Sequence, residues 1–229
     1  DGSNNVSEDA LFNGTPCTIT MDSKYKKEIS DIPSVTDISS RLYLATLPGR
    51  SCCSSETQLI ATDIKNDFLL KSWVGDISLS KNEILLGSSY SLKPGDNIKY
   101  FGRNFKVKKV LEETGAGYDN SCFISLDAAD EIMKDKNYRN IFNNNDAKNS
   151  VSMIFLRTSD MDETIYCLDM FYGDSDIEWF SFNSKLNDMQ NNVDDTNVFI
   201  HFFQIILSIV CVLSLFSLFS VFIYQRKHE

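Results

Sequence analysis

Histidine is nearly absent from this chain of 229 residues. The two that occur, His201 and His228, lie in and beside an apolar stretch near the C-terminal end. A Ser-His-Asp triad needs a histidine within reach of a nucleophile and a carboxylate, so the sequence argues against triad hydrolysis. Zinc sites use clustered histidines or a Cys-x-x-Cys pair, and neither pattern occurs. We therefore predict no catalytic residues and no enzymatic activity in this chain.

Phosphate-binding signatures and basic stripes are missing too. The glycine run Gly115-Ala116-Gly117 leads into a strand-like segment, and no Lys-Ser or Lys-Thr pair completes it, so we predict a turn there instead of a nucleotide site. Outside Arg226, Lys227 and Glu229, the chain holds 31 acidic and 20 basic residues. This excess of negative charge disfavours polyanions, so we expect no nucleic-acid partner.

The acidic residues form short clusters, but none has the spacing of a calcium-binding loop. We interpret them as solvated surface and not as paired catalytic carboxylates. The positions concerned are Asp119, Asp160, Asp162, Glu163, Asp174, Asp176 and Glu178.

One long apolar run dominates the C-terminal end. Residues from Thr196 to Gln225 carry no formal charge, and this length exceeds the roughly 20 residues that a helix needs to cross a bilayer. We predict a transmembrane helix over 198–225 and a short cytoplasmic end over 226–229. Acidic residues precede the run and basic residues follow it, so residues 1–197 are expected outside the plasma membrane.

The rest of the chain alternates strand-like and helix-like segments after a loose lead-in over 1–14. Mixed order of this kind indicates an α+β domain with a mixed sheet, predicted over 15–183, followed by a helical stalk over 184–197. An Asn-rich stretch over 136–149 is expected to be an exposed excursion. The predicted strands are 17–21, 34–47, 57–64, 83–87, a hairpin within 91–113, 121–125, 151–158 and 163–171. The predicted helices are 22–32 and 126–135, the latter capped by Ser125, and 66–75 is predicted to be a short helical or irregular segment.

Cysteine is the one residue type that suggests local chemistry. An odd number precedes the apolar run, so at least one thiol has no partner within that part of the chain. Cys52 and Cys53 are adjacent and follow Arg50, which favours the thiolate form. Two interpretations stay open for this pair: structural disulfides, or a site that binds a soft metal ion or exchanges disulfides. The cysteines are Cys17, Cys52, Cys53, Cys122, Cys167 and, within the run, Cys211.

The middle and the end of the chain carry a family resemblance. EILLGSS at 83–89 is followed by SLKPGDNIKYFGRNFKVKKVLEETGAGYDNSCFISLDAADEI at 91–132, and YQRKHE closes the chain at 224–229. This order of strand, Gly-Asp turn, hairpin, glycine loop, aromatic strand and helix resembles the extracytoplasmic domain and second transmembrane helix of FtsX-like, MacB-type ABC transporter permeases. The resemblance covers about 75–135 and 195–229.

The resemblance implies a MacB-like periplasmic core domain in a permease subunit. Such a subunit works with a cytoplasmic ABC ATPase that binds ATP, often beside a second permease copy, and needs no cofactor of its own. It also implies a further transmembrane helix before Asp1 and two after Glu229. The alternative is a tail-anchored metal-binding or thiol-redox module built on Cys52 and Cys53, linked to uptake of iron or another metal.

The charge asymmetry makes the orientation testable. In the full-length protein, a cysteine introduced by Ser3→Cys should react with a membrane-impermeant maleimide in intact cells, because positive charge holds the other end inside. Glu229→Cys should react only after permeabilisation. Mass spectrometry of the labelled peptides separates these sites from the native cysteines. Labelling of Glu229→Cys alone in intact cells would contradict the predicted topology.

Overall fold

The computed structural model describes residues 19–47, 57–142 and 146–175, together with 177, 179, 181, 196, 200–212, 214, 215 and 217. The chain divides into two compact units, Asp1–Asp176 and Ile177–Glu229. All the strands that the structure describes lie in the first unit. The α-helices among its described residues are α1 (Lys24–Ser30), α2 (Phe68–Val74), α3 (Leu126–Lys134) and α4 (Met161–Tyr172).

The strands of the first unit form two sheets. They are β1 (Met21–Asp22), β2 (Val35–Leu47), β3 (Thr57–Thr62), β4 (Glu83–Leu86), β5 (Asn97–Tyr100), β6 (Arg103–Val110), β7 (Ser121–Ser125), β8 (Ser150–Val151) and β9 (Met153–Thr158). The central sheet is mixed and has seven strands, in the order β5-β6-β4-β7-β3-β2-β9. Strands β3 and β7 run parallel, as do β4 and β6, whereas the other neighbours are antiparallel. Strands β1 and β8 make a separate two-stranded sheet. This arrangement confirms the predicted α+β class.

Helix α3 covers one face of the sheet. The hydroxyl of Ser125 accepts a hydrogen bond from the amide of Ala128 at 3.2 Å, as the predicted N-cap requires. The helix buries one side because its apolar residues recur at helical spacing. Those residues, Ala128, Ala129, Ile132 and Met133, join a core that contains Leu42, Leu59, Ile84, Leu86, Phe105, Cys122 and Ile124.

Helix α2 belongs to the other face. Alternation along β2 and β7 points Arg41 and Phe123 away from the α3 core. The ring of Trp73 in α2 lies 5.9 Å from that of Tyr118, and Tyr118 lies at the same distance from Phe123. The sheet is therefore covered on both faces, which explains why every residue of β3 is buried.

Helix α4 corrects the strand that was predicted over 163–171. The β-branched and aromatic residues there favour a strand by local propensity. Thr164, Leu168 and Tyr172 are nevertheless buried at a spacing of four residues, which is the period of a helix. Asp160 caps it by accepting from the amide of Glu163 at 3.1 Å. The cap and the buried face together outweigh local propensity.

The Asn-rich stretch is also different from the prediction, in its described part, 136–142 and 146–149. Tyr138 and Phe142 pack on Phe101, with ring centroids 5.4 and 5.7 Å away. Ala147 is buried against the α3 core. The amide of Ser23 donates to the carbonyl of Asn149 at 3.0 Å. This stretch therefore packs on one side of the domain through Tyr138, Phe142 and Ala147, although most of its other described residues are exposed, as predicted.

The packing on Phe101 stabilises a strained hairpin. Tyr100 pairs with Arg103, so Phe101 and Gly102 form a two-residue loop, with φ of 47° and 73°. Tight hairpins need positive φ at both positions, which glycine adopts freely and phenylalanine does not. The strain of about 1–2 kcal/mol at Phe101 is offset by its aromatic neighbours.

Several predictions concern the C-terminal unit and the N-terminal end. Residues 200–212 are helical, and their side chains are exposed. Of the residues described, no helix has the length and apolar character to span a membrane. Three predicted segments lie outside the described residues: the lead-in 1–14, the stalk 184–197 apart from Thr196, and the end 226–229. The stalk, the boundary at 183 and the membrane helix stay predictions.

Gly102 tests how tightly the hairpin loop is held. A Cβ at this position would lie 2.9 Å from Tyr138 Oη, whereas one at Gly95, with φ of 99°, would meet no atom within 4 Å. Gly95→Ala and Gly102→Ala share the strain of positive φ, so their difference isolates the contact with Tyr138. We expect Gly102→Ala to lower the free energy of unfolding by about 1 kcal/mol more than Gly95→Ala.

Urea unfolding followed by tryptophan fluorescence measures both variants. Adding Tyr138→Phe to Gly102→Ala removes the hydroxyl that the new methyl group meets, so it should recover part of the loss. Equal losses for Gly95→Ala and Gly102→Ala would show that Tyr138 does not restrict the loop.

Candidate functional site

The predicted cysteine site cannot be placed on the fold. Cys52 and Cys53 lie outside the described residues, as does Cys17, so the metal or disulfide interpretation stays a prediction. Cys167 is half-buried with a free thiol, and Cys122 is fully buried. Within the described ranges, no group of three or more His, Cys, Asp or Glu side chains is placed to hold a metal ion.

Cys122 belongs to a small polar cluster inside the α3 core. Its thiol donates to Tyr90 Oη at 2.8 Å, and Tyr90 Oη donates to Thr57 Oγ1 at 2.8 Å. The hydroxyls of Tyr90 and Tyr100 are 3.2 Å apart. Burial, together with Cys122 and Tyr100, raises the pKa of Tyr90 above its usual value. Tyr90 therefore stays neutral, and the cluster links three strands to the segment after β4.

The strongest electrostatic feature is a buried ion pair between β2 and the N-cap of α2. Arg41 Nε donates to Asp67 Oδ2 at 2.8 Å, and Arg41 Nη2 donates to Asp67 Oδ1 at 3.2 Å. The two side chains are 2% and 0% exposed. Asp67 also accepts from the amide of Leu70 at 2.9 Å and from Thr62 Oγ1 at 3.0 Å. Both carboxylate oxygens are thus fully bonded within the protein.

Three aromatic rings enclose the guanidinium of Arg41. Its Cζ lies 5.0 Å from the ring centroid of Tyr118, 5.5 Å from that of Phe123 and 4.8 Å from that of Phe155. Arginine suits such a place because its planar, weakly hydrated cation stacks on aromatic faces. The rings shield the ion pair from water, so its members are not accessible to a substrate.

The ion pair sets the charge state of both members. Burial by itself raises the pKa of Asp67, but the hydrogen bonds and charge of Arg41, with the amide of Leu70 and the hydroxyl of Thr62, lower it below its usual value. For Arg41, burial by itself lowers the pKa, but Tyr118 and Asp67 outweigh burial and raise the pKa above its usual value. Both groups are charged at neutral pH, and we assign them a structural role.

Asp119 closes the glycine loop. Its carboxylate accepts from the amide and the hydroxyl of Thr114 and from the amide of Gly115, each at 2.8 Å. Burial raises the pKa of Asp119, but these donors outweigh it and lower the pKa. Asp119 is only 9% exposed, so its interpretation as solvated surface was wrong. The loop amides that would face a phosphate already bind this carboxylate, which confirms the predicted turn.

The other acidic clusters fit the predicted solvated surface where the structure describes them. Asp160, Asp162, Glu163 and Asp174 are exposed. Asp162 and Glu163 lie in the first turn of α4, where negative charge interacts favourably with the helix N-terminus. Asp176 and Glu178 lie outside the described residues.

Several solved structures are similar to this chain, and two of them serve as examples. No family model and no curated protein matches the chain. The extracellular domain of the noncanonical ABC-type transporter YknZ from Gram-positive bacteria is 11% identical, with a TM-score of 0.43, covering 67% of this chain and 85% of that one. The periplasmic region of MacB from Actinobacillus actinomycetemcomitans is 11% identical, with a TM-score of 0.46, covering 75% and 83%. Likenesses of this degree establish no function for this chain.

The Arg41–Asp67 pair yields a stability prediction. Asp67→Asn should lower the free energy of unfolding by about 3–5 kcal/mol, because it leaves the buried charge of Arg41 without a counter-charge. Asp37→Asn is the matched control, since Asp37 makes a 3.0 Å ion pair with Arg157 in which both side chains are about half exposed. Its effect should stay below about 1 kcal/mol. Urea unfolding can be followed by Trp73, whose ring contacts Tyr118.

The same pair predicts a pH dependence. Because the pKa of Asp67 is lowered in the folded state, its contribution is present above the unfolded value of about 3.9 and is lost as the pH falls through the folded pKa. The stability difference between the parent and Asp67→Asn should therefore shrink below about pH 4. A difference that stays constant down to about pH 2 would show that Asp67 is not stabilised as a carboxylate.

Proposed function

We propose that this chain is the extracytoplasmic domain and adjoining membrane helix of an ABC transporter permease subunit. In this function the domain performs no chemistry. It transmits movement between the membrane and the outside, while a separate cytoplasmic subunit hydrolyses ATP and a second permease copy completes the assembly. The observation that carries the proposal is the uncharged run from Thr196 to Gln225, which follows an α+β domain and changes from acidic to basic flanks.

The construction of the domain supports a mechanical role. Arg41 and Asp67 fasten α2 to β2, and Thr62 adds β3 to the same bonds. Glu131 of α3 binds Lys81 at 2.6 Å and also pairs with Arg103 at the start of β6. Helices and strands are thus connected on both faces of the sheet, firmly at the buried Arg41–Asp67 pair and more weakly at the solvent-exposed bonds of Glu131.

The use of polar groups supports the same conclusion. The buried Asp67, Asp119 and Tyr90 each bind neighbouring elements of the fold, and none of them faces an open site. Perturbed groups at catalytic sites are instead directed into a cleft where substrate can reach them. Within the described residues, these three buried groups hold the fold together, which suits a domain that acts through its shape and position.

The proposal predicts that a stiff connection is needed before the membrane run. A Gly-Gly-Ser insertion after Asn192 should uncouple the outside domain from nucleotide binding, because glycine and serine make flexible linkers. The full-length permease and its ATPase are placed in lipid nanodiscs, and amide hydrogen exchange is compared with and without a non-hydrolysable ATP analogue. In the parent we expect nucleotide-dependent changes within 19–175, and in the insertion variant we expect them to be lost.

An Ala-Ala-Lys-Ala insertion at the same place is the matched control. Four residues add about one helical turn and preserve helix propensity, so the coupling should largely survive. Unchanged coupling in the Gly-Gly-Ser variant would show that no stiff connection is required. A parent domain that does not respond to nucleotide at all would contradict the proposed function itself.

A further inference from the structure

Exposed apolar side chains are concentrated on α4. Within the described residues of the first unit, seven large hydrophobic side chains are exposed, and four of them belong to this helix. Tyr166, Met170 and Phe171 are 68%, 58% and 61% exposed. Single exposed apolar residues are ordinary on protein surfaces, but a cluster of them marks an interaction surface. The remaining members are Met161 on α4 and Ile19, Leu69 and Ile141 elsewhere.

The geometry of the helix brings these side chains together. Tyr166 and Met170 are four residues apart and therefore neighbours on the helix surface. Each lies two residues from the buried Leu168, so both point away from the domain. Phe171 follows Met170 and lies about 100° further round the helix, so it extends the apolar area sideways at the C-terminal end of the helix. We call this set, Tyr166, Met170 and Phe171, the α4 surface.

The charged residues of α4 itself are all negative, whereas the neighbouring α1, whose Tyr25 ring lies 5.8 Å from that of Tyr172, carries Lys24, Lys26 and Lys27. Asp162, Glu163 and Asp169 are exposed on the same helix, and Met161–Tyr172 contains no lysine or arginine. At about 100° per residue, Asp162 and Asp169 lie along one edge of the Tyr166–Met170 pair and Glu163 lies along the other. An apolar centre with a charged rim is the usual composition of a protein interface.

The charge selects among the candidate occupants. A second copy would bring an identical acidic helix against this one, and like charges are unfavourable across an interface. The chain that follows the domain is acidic as well, with five acidic residues and one lysine over 176–195. A free small peptide is a poor match, since ligand sites are concave and the outer side of a helix is convex. A partner protein with a basic and apolar surface satisfies both the charge and the shape.

We propose that the α4 surface is a docking site for a basic amphipathic helix of a partner protein on the same side of the membrane as this domain. Apolar residues of the partner helix cover Tyr166, Met170 and Phe171. Its lysines or arginines lie over Asp162, Glu163 and Asp169. This inference does not depend on transport or on the membrane helix.

A probe peptide tests the proposal on the full-length protein in nanodiscs of zwitterionic lipid. The probe is a fluorescein-labelled helix of about 18 residues, or five turns, with leucine on one side and lysine on the other. Fluorescence anisotropy should show saturable binding. The triple variant Tyr166→Ser, Met170→Ser and Phe171→Ser should weaken binding by about tenfold or more, because apolar anchors dominate interfaces.

Charge and position each have a control. The triple variant Asp162→Asn, Glu163→Gln and Asp169→Asn should weaken binding and reduce its dependence on salt. Ile141→Ser should leave binding within about twofold of the parent, since Ile141 is as exposed as Phe171 but lies elsewhere. Thermal unfolding should be similar for all variants, because the substituted side chains are exposed. Equal binding by the parent and both triple variants, or by a probe with glutamate in place of lysine, would overturn the proposal.

Photocrosslinking identifies the occupant directly. Tyr166 is replaced by p-benzoylphenylalanine, and the protein is irradiated with and without the probe. Crosslinks to the probe that are prevented by the variant Asp162→Asn, Glu163→Gln and Asp169→Asn support the docking site. Crosslinks formed mainly within the chain would assign the α4 surface to the chain's own C-terminal segment. Crosslinks between two chains would assign it to a second copy, and either result would overturn the proposal.

Discussion

The ion pair between Arg41 and Asp67 is the constraint on which the rest of the domain depends. It lies where β2, β3 and α2 meet, and Tyr118, Phe123 and Phe155 enclose it. Two charges removed from water are tolerated only when their geometry is good and their remaining hydrogen-bonding groups are satisfied. Asp67 meets that condition through Leu70 and Thr62, whereas Arg41 Nη1 is buried without a hydrogen-bond partner among the described residues. The position of α2 on the sheet is therefore fixed closely, since a shift would leave a buried charge unpaired.

The sequence was sufficient for elements whose local pattern and tertiary environment agree. The hairpin within 91–113 and the Ser125 cap of α3 are examples, because Ile98 and Tyr100 alternate with exposed residues in β5 and the hydrogen bond of the cap is present in the structure. Helix α4 was missed because Thr164, Ile165 and Tyr166 favour a strand locally. The partners of Thr164 are Ser34 and Thr158. Thr164 and Tyr172 thus bond Ser34 and Glu28, which are distant in sequence, and no local pattern contains those contacts.

For the buried ion pair, the sequence indicates the individual residues but not their pairing. An arginine within the apolar strand Arg41-Leu42-Tyr43-Leu44 is a visible signal, and Asp67 stands at a typical N-cap position before α2. Their pairing depends on where α2 packs against β2, and the arrangement of the whole sheet sets that position. Composition was misleading for the Asn-rich stretch, where two aromatic residues, Tyr138 and Phe142, determine the packing on Phe101.

Relative magnitudes decide which contacts can make the domain stiff. The bonds of Lys81 and Arg103 to Glu131 are exposed to solvent and screened by salt, so they orient the hairpin without fixing it. The buried pair is different, because loss of one partner costs about 3–5 kcal/mol, a large share of the roughly 5–15 kcal/mol that holds a typical domain folded. Distortion is therefore resisted mainly around β2, β3 and α2. If the domain transmits movement, β2 is the strand that carries it, because it links this centre to β9 and, beyond β9, to α4.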